Sequence, residues 1–92
     1  MFIVVCYDIP DNKRRNRVSK TLEGYGSRVQ LSVFECDLTP KQLERLKTRL
    51  VRIIKPEEDG LRYYILCAQC ITRIELVGAS PPVEETQLYF VV

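Results

Sequence analysis

Phe2-Ile3-Val4-Val5-Cys6-Tyr7-Asp8 opens the chain, and its reading decides the fold. Side chains alternate across a strand, so Phe2, Val4 and Cys6 lie on one face and Ile3, Val5 and Tyr7 on the other. Both sets are apolar. Such a strand is central in its sheet and needs cover on both sides. Pro10-Asp11-Asn12 then turns the chain, with Asp11 or Asn12 available as a helix N-cap. Val18, Leu22 and Tyr25 recur at helical spacing, and Gly24 and Gly26 mark the stop.

Arg28 to Leu38 alternates again: Val29, Leu31 and Val33 face one way, Arg28, Gln30, Ser32 and Phe34 the other. Residues 27–38 fit either one bent strand or two strands with a tight break near Gln30–Ser32. Thr39-Pro40-Lys41-Gln42 is a helix start, combining a cap, a proline at the first position and a capping-box glutamine. Leu43, Leu46, Leu50, Ile53 and Ile54 form its apolar stripe, and Lys55-Pro56 ends it. Leu61 to Cys67 reads as a strand apolar on both faces. Ile71 to Val77 reads as a short strand, Ser80-Pro81-Pro82 as a linker and Leu88 to Val92 as a last strand.

This order implies an α+β, ferredoxin-like βαββαβ plan with both helices on one face of a mainly antiparallel sheet and an extra C-terminal strand. Residues 1–78 form the domain, and 79–92 the linker and strand. The other sheet face is left open although the central strand is apolar there. A second copy of the chain is the simplest cover, which predicts a homodimer.

The 92 residues suffice for one core. No stretch reaches the length of a membrane span, and Phe2–Cys6 begins without a basic region or cleavage site, so a cytoplasmic location is expected. Charge is unevenly spread: residues 1–55 carry twelve Lys/Arg against six Asp/Glu, while residues 56–92 carry two against six. A basic first part fits either an anionic partner or simply solvated helix faces.

Cys6, Cys36, Cys67 and Cys70 sit among aliphatic neighbours and read as reduced packing residues. Cys67-Ala68-Gln69-Cys70 matches C-x-x-C. Without a histidine, however, a closed zinc site within one chain needs Cys6 and Cys36 as well. A strand running through Cys70 would also point the two thiols to opposite faces.

Asp8, at the tip of a buried strand, reads either as a turn aspartate bonding nearby amides or as a metal ligand. The second reading needs another carboxylate, and a two-fold axis beside Asp8 supplies one. The run Lys13-Arg14-Arg15-Arg17-Lys20 lies in the first turns of a helix, where the backbone dipole disfavours cations. A phosphate held there by amides and guanidinium forks accounts for it, as does a solvated face. Arg28 is a further candidate phosphate contact. Phe34 is set either to stack on a base or to pack. Arg45, Lys47, Arg49 and Arg52 fit an ordinary exposed helix face. The absence of histidine leaves hydrolysis to a metal or to Asp8.

These residues resemble the small CRISPR-associated Cas-two family: the strand ending Tyr7-Asp8-Ile9, the helix with Arg15-Asn16-Arg17, and Gly26-x-Arg28-Val29-Gln30-x-Ser32-Val33-Phe34-Glu35-Cys36. Leu61 to Cys70 is similar to that family's later strand, and the likeness spans nearly the whole chain. It implies a ferredoxin-like homodimer with two Asp8 carboxylates facing across a cleft. It also implies a magnesium-dependent endonuclease on RNA or DNA, and a place in spacer acquisition bridging Cas-one integrase subunits. By resemblance Asp8 is the catalytic metal ligand, and Tyr7, Arg15, Arg17, Arg28, Ser32 and Phe34 match positions tied to activity or substrate contact. Arg14 joins them in the phosphate reading. The C-terminal strand is expected on the partner's sheet edge.

Two other functions fit the same sequence. One is a non-catalytic scaffold clamping DNA for the integrase. The other is a ferredoxin-like regulatory module binding a small ligand. An RRM-type reader lacks its aromatic-rich pattern here.

Overall fold

The computed structural model describes residues 1–83. Its elements are β1 (Phe2–Asp8), α1 (Asn12–Glu23), β2 (Gly26–Gln30), β3 (Val33–Asp37), α2 (Pro40–Val51), β4 (Gly60–Leu66) and α3 (Ala68–Ile71). The four strands form one sheet in the order β2-β3-β1-β4, each neighbouring pair antiparallel, which is the ferredoxin-like arrangement. β1 is central, as its two apolar faces require.

Ile3, Val5 and Tyr7 of β1 bury against the helices with Val18 and Leu22 of α1, Leu43, Leu46 and Leu50 of α2, and Phe34 and Cys36 of β3. Asp11 caps α1, its carboxylate accepting from the Arg14 amide at 2.9 Å. Thr39 and Gln42 close the expected capping box on α2.

Residues 27–38 are two strands joined at Leu31-Ser32. A bulge interrupts their register: Arg28 pairs with Phe34, but Gln30 pairs with Val33. The extra residue, Val29, turns Gln30 away from the face Arg28 occupies, which breaks the expected Arg28-Gln30-Ser32-Phe34 row. Gly26 is required where it stands. A Cβ there would lie 2.3 Å from the Glu35 carbonyl oxygen and 2.6 Å from Cys36 Sγ.

The expectation of a strand over Ile71–Val77 is corrected. Among the described residues no strand follows β4. The chain makes the one-turn helix α3, which buries Ile71, and continues irregularly. Ile71 and Phe2 line a common cavity at the β1–β4 side. Pro81, Pro82 and Val83 line another with Ser27 and Glu35 at the β2–β3 side. The chain's own residues 68–83 thus run from one edge of the sheet to the other and supply part of the cover that a second copy was expected to give. The expected strand Leu88–Val92 lies outside the described residues. No helix among them is long and apolar enough to cross a membrane.

Candidate functional site

Asp8 ends β1 opposite Gly60 of β4. Strand alternation puts it with Phe2, Val4 and Cys6, on the side turned away from the helices. Its side chain is exposed, and among the described residues no hydrogen bond or ion pair holds it. The turn-aspartate reading therefore has no bond to rest on. Asp8 lines a cavity of about 480 Å³ with Cys6, Tyr7, Gly60, Leu61, Arg62 and Tyr64. The space beside Gly60 is open, since a Cβ there would meet nothing within 4 Å.

Arg62 and Tyr64 were missed in the sequence, where β4 reads as apolar on both faces. The signal was present: Arg62 and Tyr64 alternate with Leu61 and Tyr63, so β4 is polar on one side. Arg62 pairs with Cys6 and Tyr64 with Val4, which places both on the Asp8 side of the sheet. An Arg62 terminal nitrogen donates to the Tyr64 hydroxyl at 3.1 Å, and this bond raises the Arg62 pKa further. The cavity thus combines one free carboxylate with one oriented guanidinium.

The structure divides the basic run of α1. Arg14 is an internal clamp rather than a free phosphate contact: Nε donates to Asp59 Oδ2 at 2.7 Å and a terminal nitrogen to Asp59 Oδ1 at 3.1 Å. Glu58 lies 3.3 Å from the same guanidinium. The Asp59 side chain has no exposed surface, so it needs this partner. Hydrogen bonding from Arg14 holds the Asp59 carboxyl below its usual range. Arg15 is likewise engaged, donating to the carbonyls of Ile9 at 3.0 Å and Pro10 at 3.3 Å, and to Asn12 Oδ1. These bonds fix the turn that follows Asp8. For Arg14 and Arg15, cations in a dipole-disfavoured position are explained by protein partners, without a bound phosphate.

Arg17 is exposed and, among the described residues, carries no hydrogen bond or ion pair. It lines a cleft of about 420 Å³ between the two long helices with Lys20, Thr21, Arg49, Arg52 and Ile53. The second-helix cations Arg49 and Arg52, read from sequence as an ordinary solvated face, therefore converge with the first-helix cations. Their convergence depends on how α1 and α2 pack, which no local pattern reveals.

Phe34 is fully buried, so the base-stacking reading is corrected: its ring packs with Tyr7 at 6.3 Å between centroids and lies under the Arg28 guanidinium at 5.7 Å. Tyr7 is buried too and donates its hydroxyl to the Leu31 carbonyl at 3.2 Å, which gives it a structural part in the β2–β3 turn. Arg28 is exposed but tied to Ser19 Oγ at 2.6 Å and Glu23 at 3.9 Å. Ser32 sits in the turn, its carbonyl accepting from the Tyr7 amide at 3.1 Å.

The cysteines split. Cys36 is buried, and burial pushes its thiol up to about 11. Cys67 and Cys70 are exposed, contrary to the packing reading, and their sulfurs approach to 3.3 Å because α3 replaces the expected strand. Among the described residues no three His, Cys, Asp or Glu side chains group to hold a metal.

The family model described as CRISPR associated protein Cas2 matches residues 1–74. A CRISPR-associated endoribonuclease Cas2 of Chloroflexus aurantiacus is 47% identical over 93 residues, covering 100% of both chains. The crystal structure of Streptococcus pyogenes Cas2 superposes with a TM-score of 0.77 at 38% identity, over 85% of this chain and 100% of that one. A chain of a partial Cas6-RT-Cas1–Cas2 complex superposes with a TM-score of 0.74 at 35% identity, over 83% and 89%.

Proposed function

This chain belongs to the CRISPR-associated Cas2 family, and from that premise we propose that it is a metal-dependent endonuclease of the CRISPR adaptation machinery, cutting RNA at a site built on Asp8. The observation that carries the reading is the Asp8 carboxylate itself, exposed and unpartnered among the described residues, in a cavity shared with Arg62 and Tyr64. Relatives named endoribonuclease support the class of reaction.

A hard divalent cation such as magnesium takes oxygen ligands and commonly uses one or two carboxylates. Asp8 fits that donor chemistry, and a second copy of the chain would add the second Asp8. When bound, the cation supplies Lewis-acid polarisation of a phosphoryl oxygen and an activated water. The chain's own residues do the rest. Asp8 gives the anchoring oxygen, Arg62 offers a guanidinium to the phosphate, and Tyr64 holds Arg62 at the cavity wall. Arg15 fixes the turn behind Asp8. Cas1 is the proposed assembly partner, supported by the likeness to a chain of the Cas1–Cas2 complex.

Labelled single-stranded RNA and double-stranded DNA, with magnesium or with chelator, test the reading on the wild type and Asp8→Asn. Magnesium-dependent cutting that Asp8→Asn abolishes while binding persists is expected. Cutting unchanged in Asp8→Asn rejects the site.

One observation favours a second reading, a non-catalytic clamp on DNA. No residue lining the Arg17–Arg52 cleft also lines the Asp8 cavity, so on this reading backbone binding would use a surface separate from Asp8. Binding without cutting in the same assay selects this reading.

A further inference from the structure

Cys67 and Cys70 occupy the point where the chain leaves the sheet. Cys67 is the residue before α3, and its side chain makes no capping bond, so the sulfur is available to the next turn of chain. Three residues on, Cys70 brings its own sulfur within 3.3 Å, and both are exposed. Ile71 is buried beside them and lines the cavity that also holds Phe2, which anchors the turn against β1 and β4.

A metal reading fails on ligand count. No third His, Cys, Asp or Glu joins the pair among the described residues, and structural zinc takes four ligands. A disulfide needs only the two sulfurs already in contact, drawn in to about 2.05 Å. We propose that Cys67 and Cys70 form a reversible disulfide within the chain, by exchange with small disulfides of the glutathione class, locking the turn through which the chain leaves β4.

The exchange balances in two steps. The Cys67 thiolate attacks one sulfur of the small disulfide, whose S–S bond breaks to release one thiolate and leave a mixed disulfide on Cys67. Cys70, having lost its proton to solvent, attacks the Cys67 sulfur and expels the second thiolate. Two protein thiols are oxidised, and one small disulfide is reduced to two thiols. The assignment of Cys67 as the attacking thiol agrees with the local bonding: the Cys70 backbone amide chiefly lowers the Cys67 thiol, while the neighbouring Cys67 sulfur raises that of Cys70.

The test equilibrates the full chain in buffers of reduced and oxidised glutathione, quenches with acid, unfolds, alkylates, and maps each cysteine by mass spectrometry. Cys67 and Cys70 are expected to lose alkylation together as a mutual disulfide, while Cys6 and Cys36 stay alkylated. Cys70→Ser and Cys67→Ser are each expected to stall with one glutathione on the remaining cysteine of the pair, since neither can close the internal disulfide. Independent glutathione adducts on both residues of the wild type overturn the proposal. So does an unoxidised pair in the most oxidising buffer, or a disulfide that joins Cys67 or Cys70 to Cys6 or Cys36.

Discussion

Arg14 and Asp59, 45 positions apart, meet through two hydrogen bonds of 2.7 and 3.1 Å, and this pair joins the first turn of α1 to the loop that enters β4. Asp59 Oδ2 also accepts from the Lys55 amide at 2.8 Å, so one buried carboxylate closes that loop and anchors it. The same loop delivers Gly60 opposite Asp8. A structural ion pair therefore stands behind the face that carries Asp8.

Removing one partner leaves the other buried and unpaired, so Arg14→Ala is expected to lower the melting temperature by several degrees. The acid branch has a definite sign. Arg14 depresses the Asp59 pKa, and Lys55 chiefly that of Glu58, so their contribution is full above the ordinary carboxylate range and is lost as pH falls through the lowered values. Melting curves from pH 7 down to about 3 should show the wild type losing stability steeply below about pH 4. Asp59→Asn should start lower and lose less. Parallel curves for the two proteins count against the pair as the source of acid sensitivity.

Asp8 behaves oppositely because nothing in the described fold depends on it. Asp8→Asn is expected to unfold within about 0.5 kcal/mol of the wild type, as exposed substitutions do, while magnesium-dependent cleavage drops below detection. Arg62→Ala should reduce cleavage with little change in melting. A large loss of stability in Asp8→Asn would mean that the carboxylate has a structural partner.

The cleft between the helices predicts a salt signature. Arg49→Ala combined with Arg52→Ala is expected to weaken nucleic-acid binding and lower the slope of log affinity against log salt by about 1 for each phosphate that is no longer neutralised. Arg49 also stacks on Tyr25 at 5.6 Å, so melting must be measured alongside. An unchanged slope removes the cleft from the binding surface.

The fold was legible wherever short-range pattern determined it. A strand apolar on both faces had to be central, and the Thr39–Gln42 box could only start a helix. The site was legible only in part. Asp8 stood out as an acid at a strand tip, but the basic run after it looked uniform, although Arg14 faces Asp59, Arg15 folds back on its own turn, and Arg17 faces the cleft. Those fates are set by loops and helix packing distant in sequence. α3 was missed for a related reason. Its single turn buries Ile71 at the cavity that Phe2 also lines, a tertiary placement that overrides the apolar run read as strand.

Gly26 offers the sharpest test of the hairpin that carries Phe34 into the core. The Cβ of Gly26→Ala would fall 2.3 Å from the Glu35 carbonyl oxygen and 2.6 Å from Cys36 Sγ, too close to backbone and a buried sulfur for either to yield cheaply. The substitution is expected to cost about 1–3 kcal/mol, as overpacking does. Tyr7→Phe acts at the other end of the hairpin, deleting the hydroxyl that reaches the Leu31 carbonyl while keeping the ring against Phe34. It should cost about 1 kcal/mol, the usual worth of one hydrogen bond. Because the two sites lie at opposite ends of β2–β3, their effects on chemical denaturation should add. Cleavage by Tyr7→Phe should stay near wild type if Tyr7 supports the turn. A drop in cleavage far beyond the drop in stability would return Tyr7 to the substrate.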